Sequence, residues 1–210
     1  MNLKQIVKLH SSLGLDFEFK KDGLVYSTDD GGRIVVSVSE DFKEESVEIL
    51  DGIENIPTQL FCDCQSLETA ILPDSVQTIG VGVFRGCINL KKIKLSENLT
   101  EIPGVSFYSC QNLKNIIIPE SITAIGELAF AECESMRDIT IPQNVISIGT
   151  YAFAYCVSLS NIVIPRSVLT IGDEAFAKCE SLTHVKIPKH LRESIPNAFG
   201  RDTDIDFEFY

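Results

Sequence analysis

The sequence predicts an α/β solenoid, a right-handed coil of stacked repeats with short helical turns and a parallel β-ladder of about seven short strands. Three observations lead to this prediction. Several residue types recur with a 23-residue period, each repeat holds a short alternating apolar stretch, and that stretch usually ends at a proline. Since one unit of this length cannot bury its own apolar side chains, the units are expected to stack and share one core.

The repeat consists of columns of similar residues that lie 23 positions apart. The phenylalanine column has no gap and consists of Phe61, Phe84, Phe107, Phe130, Phe153, Phe176 and Phe199. The cysteine column consists of Cys64, Cys87, Cys110, Cys133, Cys156 and Cys179. The isoleucine column consists of Ile56, Ile79, Ile102, Ile125, Ile148 and Ile171. The proline column, which Ser96 interrupts, consists of Pro73, Pro119, Pro142, Pro165 and Pro188. Chance does not align so many columns, so the chain is a repeat array.

Each repeat can be interpreted as a strand, a turn and a helical segment. The alternation from Ile162 to Ile164 predicts a strand that ends at Pro165, because proline has no amide hydrogen for a ladder. Gly172 is expected to give the following turn a positive φ. The spacing of apolar residues by three and four over residues 175–182 predicts one or two helical turns.

These residues resemble the BspA-type leucine-rich repeat, with the pattern L-x-x-I-x-I-P-x-x-V-x-x-I-G-x-x-A-F-x-x-C-x-x. The resemblance covers residues 47–199, and residues 22–38 resemble the β-hairpin that precedes such arrays. Pro57 and Pro103 depart from the pattern, since other repeats have glycine there. The resemblance implies a leucine-rich repeat fold, a role in cell adhesion or in binding host or matrix proteins, and a location at the cell surface or outside the cell.

The chain is expected to divide into three parts. Residues 1–46 would form an N-terminal cap with a short amphipathic helix from Leu3 to Leu13 and hairpin turns at residues 20–23 and 29–32. Residues 47–199 would form the array, and residues 200–210 a capping strand. In that strand Phe207 and Phe209 would point inward and the acidic residues outward.

Charge and hydropathy exclude some classes of partner. The net charge is −12, and both nucleic acids and anionic membranes favour basic surfaces. No apolar run reaches the ~18 residues that a membrane span needs. The amino terminus also lacks the continuous apolar core of a signal peptide. We therefore expect neither nucleic-acid binding nor membrane insertion.

The cysteines are predicted to be structural. Seven thiols, with one in register in each coil, do not suit a disulfide framework, because stacked side chains point in parallel directions. The column is therefore predicted to be buried, with weak donation from the thiols to backbone carbonyls. Cys62 lies outside the column and is predicted to be the accessible thiol. A redox or thiophilic-metal role is the alternative.

No catalytic residue, metal site or cofactor site is predicted. The sequence has no G-x-S-x-G, H-E-x-x-H or P-loop motif. Its three histidines are too few for a histidine-rich metal site. The chain is therefore predicted not to be an enzyme.

The outward side of the strand ladder is the candidate partner-binding face. If Ile162 and Ile164 point inward, Asn161 and Val163 point outward, and so do their equivalents in every coil. Ile71, Ile117 and Val163 would then be exposed apolar anchors. A further column, which follows the proline position, runs from acidic Asp51 to basic Lys189 along the array. The candidate face comprises Thr69, Ile71, Lys92, Lys94, Asn115, Ile117, Asp138, Thr140, Asn161, Val163, Arg166, His184, Lys186 and Lys189.

The sequence therefore predicts a non-catalytic protein-binding or adhesion module that takes a protein or peptide ligand as a monomer. The alternative is a structural spacer or self-associating segment of a larger cell-surface protein. A solvated face without any ligand is also consistent with the same columns. The state of the ends of the array distinguishes a self-contained module from a spacer, because an uncovered end exposes core and strand edges.

Overall fold

The computed structural model describes residues 18–28, 34–39, 42–200 and 204–210. The amino-terminal helix predicted for residues 3–13 and the turn predicted at residues 29–32 lie outside these ranges.

An antiparallel sheet precedes the array. Its strands are β1 (Glu18–Lys21), β2 (Leu24–Thr28) and β3 (Ile34–Val38), in the order β1-β2-β3. The predicted turn between β1 and β2 is confirmed: Asp22 and Gly23 both have positive φ, 50° and 71°, as a two-residue hairpin requires. The sheet is tied to the first coil by Tyr26, whose hydroxyl accepts a 3.2 Å hydrogen bond from the Leu50 amide.

The first ladder is built from the short strand that begins each coil. Its strands are β4 (Ser46–Glu48), β6 (Thr69–Ile71), β8 (Lys92–Lys94), β12 (Asn161–Val163), β14 (His184–Ile187) and β15 (Asp206–Phe209). They pair in parallel in two groups, β4-β6-β8 and β12-β14-β15. Residues 114–118 and 137–141 keep the same alternation of buried and exposed side chains without ladder pairing. The predicted ladder is thus interrupted at its centre.

A second ladder runs along the isoleucine column. Its strands are β5 (Asn55–Ile56), β7 (Thr78–Ile79), β9 (Glu101–Ile102), β10 (Ala124–Ile125), β11 (Ser147–Ile148) and β13 (Thr170–Ile171). Pairing joins β5 to β7 and joins β9 to β13 through β10 and β11, with a break between β7 and β9. The break follows from Pro103. The amide of Gly126 donates to the Ile102 carbonyl of the preceding coil at 2.8 Å, whereas Pro103 has no such hydrogen.

The third side of each coil consists of successive turns, so the predicted helical segments are wrong. Tyr151 and Tyr155 have φ of 54° and 59°, in the left-handed region that a right-handed helix cannot include. Their amides donate to Asp173 and Ala177 of the next coil at 3.0 and 2.8 Å. The left-handed residues therefore direct peptide groups along the array, and the backbone of this side is bonded between coils.

The glycine column, which consists of Gly80, Gly126, Gly149 and Gly172, allows successive coils to pack closely. Gly172 has no positive φ, so the prediction made for it is wrong. A Cβ at Gly172 would lie 2.3 Å from the Thr150 amide nitrogen of the preceding coil. Successive backbones therefore approach so closely at this corner that a side chain has no space.

The core is a continuous column of stacked rings. Phe61 to Phe199 stack with centroid distances of 4.7–5.5 Å and interplanar angles of 5–9°. Phe42 tilts against the first ring at 5.9 Å, and Phe207 meets the last ring edge-on at 5.3 Å. Both ends of the ring column are thus covered by aromatic side chains from outside the repeat.

The last coil departs from the repeat. A 3₁₀ helix covers Lys189–Ser194, helix α1 covers Ile195–Ala198, and β15 then pairs with β14. Phe207 and Phe209 pack on the core, while Asp206 and Glu208 are exposed. The predicted parallel-strand solenoid is therefore confirmed, with few helices and with turns on its third side.

Candidate ligand-binding face

The outward positions of the first ladder lie where the sequence predicts them. In β8 and β12 the middle residue is buried and both flanking residues are exposed. Asn115, Asp138 and Thr140 are also exposed, although their segments carry no ladder pairing. The array therefore presents one row of outward side chains per coil.

Two of the three predicted apolar anchors are exposed. Ile117 is 83% exposed and Val163 is 51% exposed. Ile71 is half-buried, so its prediction as an exposed anchor is wrong. It lies in register between Glu48 and Lys94, and the hydrocarbon part of a long charged side chain covers neighbouring apolar surface.

A cluster of basic residues lies at the centre of this face. We call Lys91, Lys92, Lys94, Lys114 and Arg137 the central basic cluster; all are exposed. The sequence prediction included two of them and missed the column immediately before each strand, which reads Glu45, Glu68, Lys91, Lys114, Arg137, Ser160 and Thr183. The same 23-residue comparison would have found that column.

Few carboxylates neutralise the positive charge of the central basic cluster. Lys91 Nζ lies 2.7 Å from Glu68 Oε1, and both side chains are well exposed. Within the part of the chain that the structure describes, no carboxylate lies within 4.0 Å of the other four cations. Exposed ion pairs contribute little to the free energy of unfolding, so the stability of the fold does not depend on these cations.

Two basic residues of the face nearer the carboxy-terminal end, Arg166 and Lys186, already have partners. The guanidinium of Arg166 lies 5.0 Å from the centroid of the Tyr210 ring, and Lys186 Nζ lies 5.4 Å from it. Lys186 also forms a 2.6 Å ion pair with Glu208. The Tyr210 hydroxyl donates to the Ile164 carbonyl at 2.6 Å, which fixes the ring. Arg166 and Lys186 are therefore less available to a ligand than the sequence predicted.

The column that follows the proline position is exposed throughout and runs from Asp51 to Lys189. In its acidic part Asp74 Oδ1 accepts a hydrogen bond from the Glu97 amide at 3.1 Å. His184 is the first residue of β14, near the basic end of this column, and its Nδ1 lies 2.9 Å from the Thr183 hydroxyl. The polarity predicted from the sequence is therefore present on the surface.

The third side carries an apolar patch that sequence reasoning missed. Ala131, Ala154 and Ala177 form a cluster against which Tyr108 and Tyr151 pack. The Tyr108 hydroxyl donates to Glu132 at 2.8 Å, and Tyr155 is 50% exposed. The tyrosines had no place in the repeat pattern, because each stands alone in its column.

The cysteine column is a set of buried donors. The thiols of Cys87, Cys110, Cys133, Cys156 and Cys179 each lie 3.0–3.3 Å from a phenylalanine carbonyl oxygen of the preceding coil. Burial raises the pKa of all of them, and that of Cys179 reaches about 12. The predicted burial and donation to backbone carbonyls are confirmed for these five thiols, whereas Cys64, the first of the column, is half-buried. All seven cysteines are free thiols.

Native thiol labelling is expected to separate two cysteines from five. Cys62 and Cys64 are half-buried and the others are buried, so only these two should react rapidly with an aromatic disulfide at about pH 8, because the thiolate is the reactive form. The remaining five should react only on unfolding. Cys62→Ser should remove the fastest phase, and rapid reaction of more than two thiols would contradict this assignment.

The described residues contain no group of three or more histidine, cysteine, aspartate or glutamate residues that could hold a metal ion. A cavity of about 770 Å³ lies at the last coil. Cys179, the thiol that lines this cavity, donates a hydrogen bond to the Phe153 carbonyl. Among the helices of these ranges, none has both the length and the apolar character of a membrane span.

Comparison with known proteins agrees with this architecture. The BspA type leucine rich repeat region matches residues 39–158 and 100–207, with six copies. A leucine-rich repeat protein from Bacteroides ovatus has 31% identity and a TM-score of 0.72 over 80% of this chain and 42% of its own. The chain thus spans less than half the length of that protein. No curated protein matches the chain.

Two further solved structures are similar. The T. pallidum leucine-rich repeat protein has 26% identity and a TM-score of 0.69, over 90% of this chain and 99% of its own. A leucine-rich cell surface protein from Faecalibacterium prausnitzii has 26% identity and a TM-score of 0.56, over 89% of this chain and 43% of its own. With repeats matched over most of its length, the chain belongs to the BspA-type leucine-rich repeat family.

Proposed function

We propose that this chain is a non-catalytic interaction module that binds a protein or peptide partner through the outward side of the first ladder. The observation that carries the proposal is the exposure of Ile117 and Val163, 83% and 51%, on a face whose other side chains are polar apart from the half-buried Ile71. Burial of such side chains against a partner contributes roughly 25 cal/mol per Å² of apolar surface removed from water.

The array supports this role because it holds the face in place. Each coil is bonded to its neighbours on its second and third sides, and its phenylalanine is stacked in the core. A face fixed before binding loses little conformational freedom when a partner docks, and extended repeat surfaces are commonly used in this way. We propose that the module acts as a monomer, since aromatic side chains cover both ends of the ring column.

An adhesive role at the cell surface belongs to the same proposal. It is supported by the Faecalibacterium prausnitzii structure, which is described as a leucine-rich cell surface protein. The array supplies a rigid surface for such a role, and the identity of the partner would decide whether the contact is adhesive.

Selection from a random peptide library tests the proposal. We expect peptides enriched on the wild-type chain to lose binding when Ile117→Asp and Val163→Asp are combined, because both apolar anchors are then charged. The matched control is Leu169→Asp, since Leu169 is 63% exposed and lies off the first ladder. Peptides that bind the double variant as well as the wild type would exclude this face as the binding surface.

A further inference from the structure

The central basic cluster is an unusual concentration of positive charge on this molecule. Its five cations belong to three successive coils, whereas the chain carries a net charge of −12. Asp138 is the single carboxylate among the positions equivalent to Lys91, Lys92 and Lys94 in those three coils. This basic surface attracts anionic ligands, whereas the acidic remainder of the protein repels them.

The spacing of the cluster is set by the coils. Lys91, Lys114 and Arg137 occupy one position of the repeat, and the phenylalanine rings of their coils are 5.5 and 5.2 Å apart. The row therefore spans roughly 11 Å, and alternate side chains of an extended peptide are roughly 6.6–7 Å apart. Two carboxylates on one side of an extended segment can reach along this row.

An apolar contact lies beside the charges. Ile117 follows Lys94 in the same column and is the most exposed large hydrophobic residue among those described, at 83%. A peptide can place an aliphatic side chain there and carboxylates on the neighbouring cations. A sulfated polysaccharide offers anionic groups but no aliphatic side chain, so it would leave Ile117 exposed to water.

The backbone beside Ile117 adds a second feature. Residues 114–118 and 137–141 donate no backbone hydrogen bond to a neighbouring coil within the described part of the array. Their amides therefore have no backbone acceptor in a neighbouring coil, although the Arg137 carbonyl accepts a hydrogen bond from the Ser160 amide at 3.3 Å.

We infer that the central basic cluster and Ile117 bind an extended acidic segment of a partner protein, one with carboxylates on one side and an aliphatic residue nearby. This inference rests on the proposed function and specifies the class of its ligand. The carboxylates lie against the row from Lys91 to Arg137, and the aliphatic side chain covers Ile117. Electrostatic attraction would accelerate association, and it would weaken as salt rises.

Fluorescence anisotropy with labelled peptides tests this inference. The probe is a peptide of about ten residues that alternates Glu or Asp with Leu or Val; its controls carry Lys in place of the acids, or Gly in place of the aliphatics. We expect the acidic aliphatic peptide to bind most tightly. Lys114→Glu combined with Arg137→Glu should weaken it about tenfold or more, because two attractive contacts of the row become repulsive.

The matched control reverses two exposed cations of the third side, Arg85→Glu with Lys178→Glu, and should change affinity less than about threefold. Ile117→Ser should weaken the acidic aliphatic peptide and leave the glycine-containing acidic peptide unchanged. Tighter binding of a sulfated polysaccharide than of any peptide, with no effect of Ile117→Ser, would overturn the inference. Absence of measurable binding by the acidic aliphatic peptide would overturn it as well.

The two proposals can fail separately. If library selection yields neutral or basic peptides that depend on Ile117 and Val163, the acidic ligand class is wrong and the interaction face stands. If acidic peptides bind with equal affinity to the wild type and to the cluster variant, the central basic cluster has no part in recognition. If no selected peptide depends on the face, the proposed function itself is wrong.

Discussion

Phe130→Ala is expected to lower the free energy of unfolding by about 3–5 kcal/mol, because it removes a ring from the middle of a closed column. The Phe130 side chain is fully buried and stacks on Phe107 at 5.2 Å and on Phe153 at 5.3 Å. Those neighbours are held by their own coils and cannot close the cavity. Equilibrium urea unfolding followed by circular dichroism measures the change.

Val163→Ala is the control for this prediction. Val163 is half-exposed on the outward side of β12, so its truncation should change stability by less than about 0.5 kcal/mol. A comparable loss at both positions would mean that inward and outward positions do not differ energetically. The protein would then not be held together by the stacked column.

The core and the repeat length were predictable from the sequence because buried side chains obey a fixed period. A ring such as Phe130 can stack on its equivalents only if every coil has the same length, so the spacing of one residue type reports the stacking. The inward or outward direction of strand residues followed from the same period. The burial of Ile162 between exposed Asn161 and Val163 confirms that prediction.

The third side could not be predicted in this way. Apolar residues spaced by three and four are typical of a helix, yet this side consists of turns with left-handed residues at Tyr151 and Tyr155. Positive φ is uncommon for such residues, so their identity gives no signal for it. The left-handed conformation is favoured by contacts between coils, since the amides of residues such as Tyr151 and Tyr155 donate to the next coil.

The candidate face was predictable only in part. Its outward positions followed from alternation, but the contacts of Arg166 and Lys186 with Tyr210 join residues far apart in the sequence, in the irregular last part of the chain. The basic character of the column that Lys114 and Arg137 share with Lys91 could have been predicted from the sequence. The interruption of the first ladder has no counterpart in the repeat pattern, and nothing in the structure explains it.

Gly149→Ala is expected to lower the free energy of unfolding by about 1–3 kcal/mol or more, because it overpacks a corner where two backbones meet. The added Cβ would lie 2.6 Å from the Glu127 amide nitrogen and 2.6 Å from the Gly126 carbonyl carbon. Backbone atoms of a neighbouring coil cannot rotate away as a flexible side chain can. Relief requires separating the two coils, which would also stretch the bond from the Gly149 amide to the Ile125 carbonyl.

Gly104→Ala provides the matched comparison. Gly104 also lies in the array without a positive φ, and its added Cβ would meet a single close atom, the Glu127 carbonyl oxygen at 3.1 Å. Both substitutions restrict the unfolded chain equally, a gain of roughly 0.4–1 kcal/mol, so the difference between the variants isolates the steric cost. Equal unfolding free energies for the two variants, measured in urea, would show that the coils separate at this corner without cost. The glycine column would then have to be explained by something other than close approach.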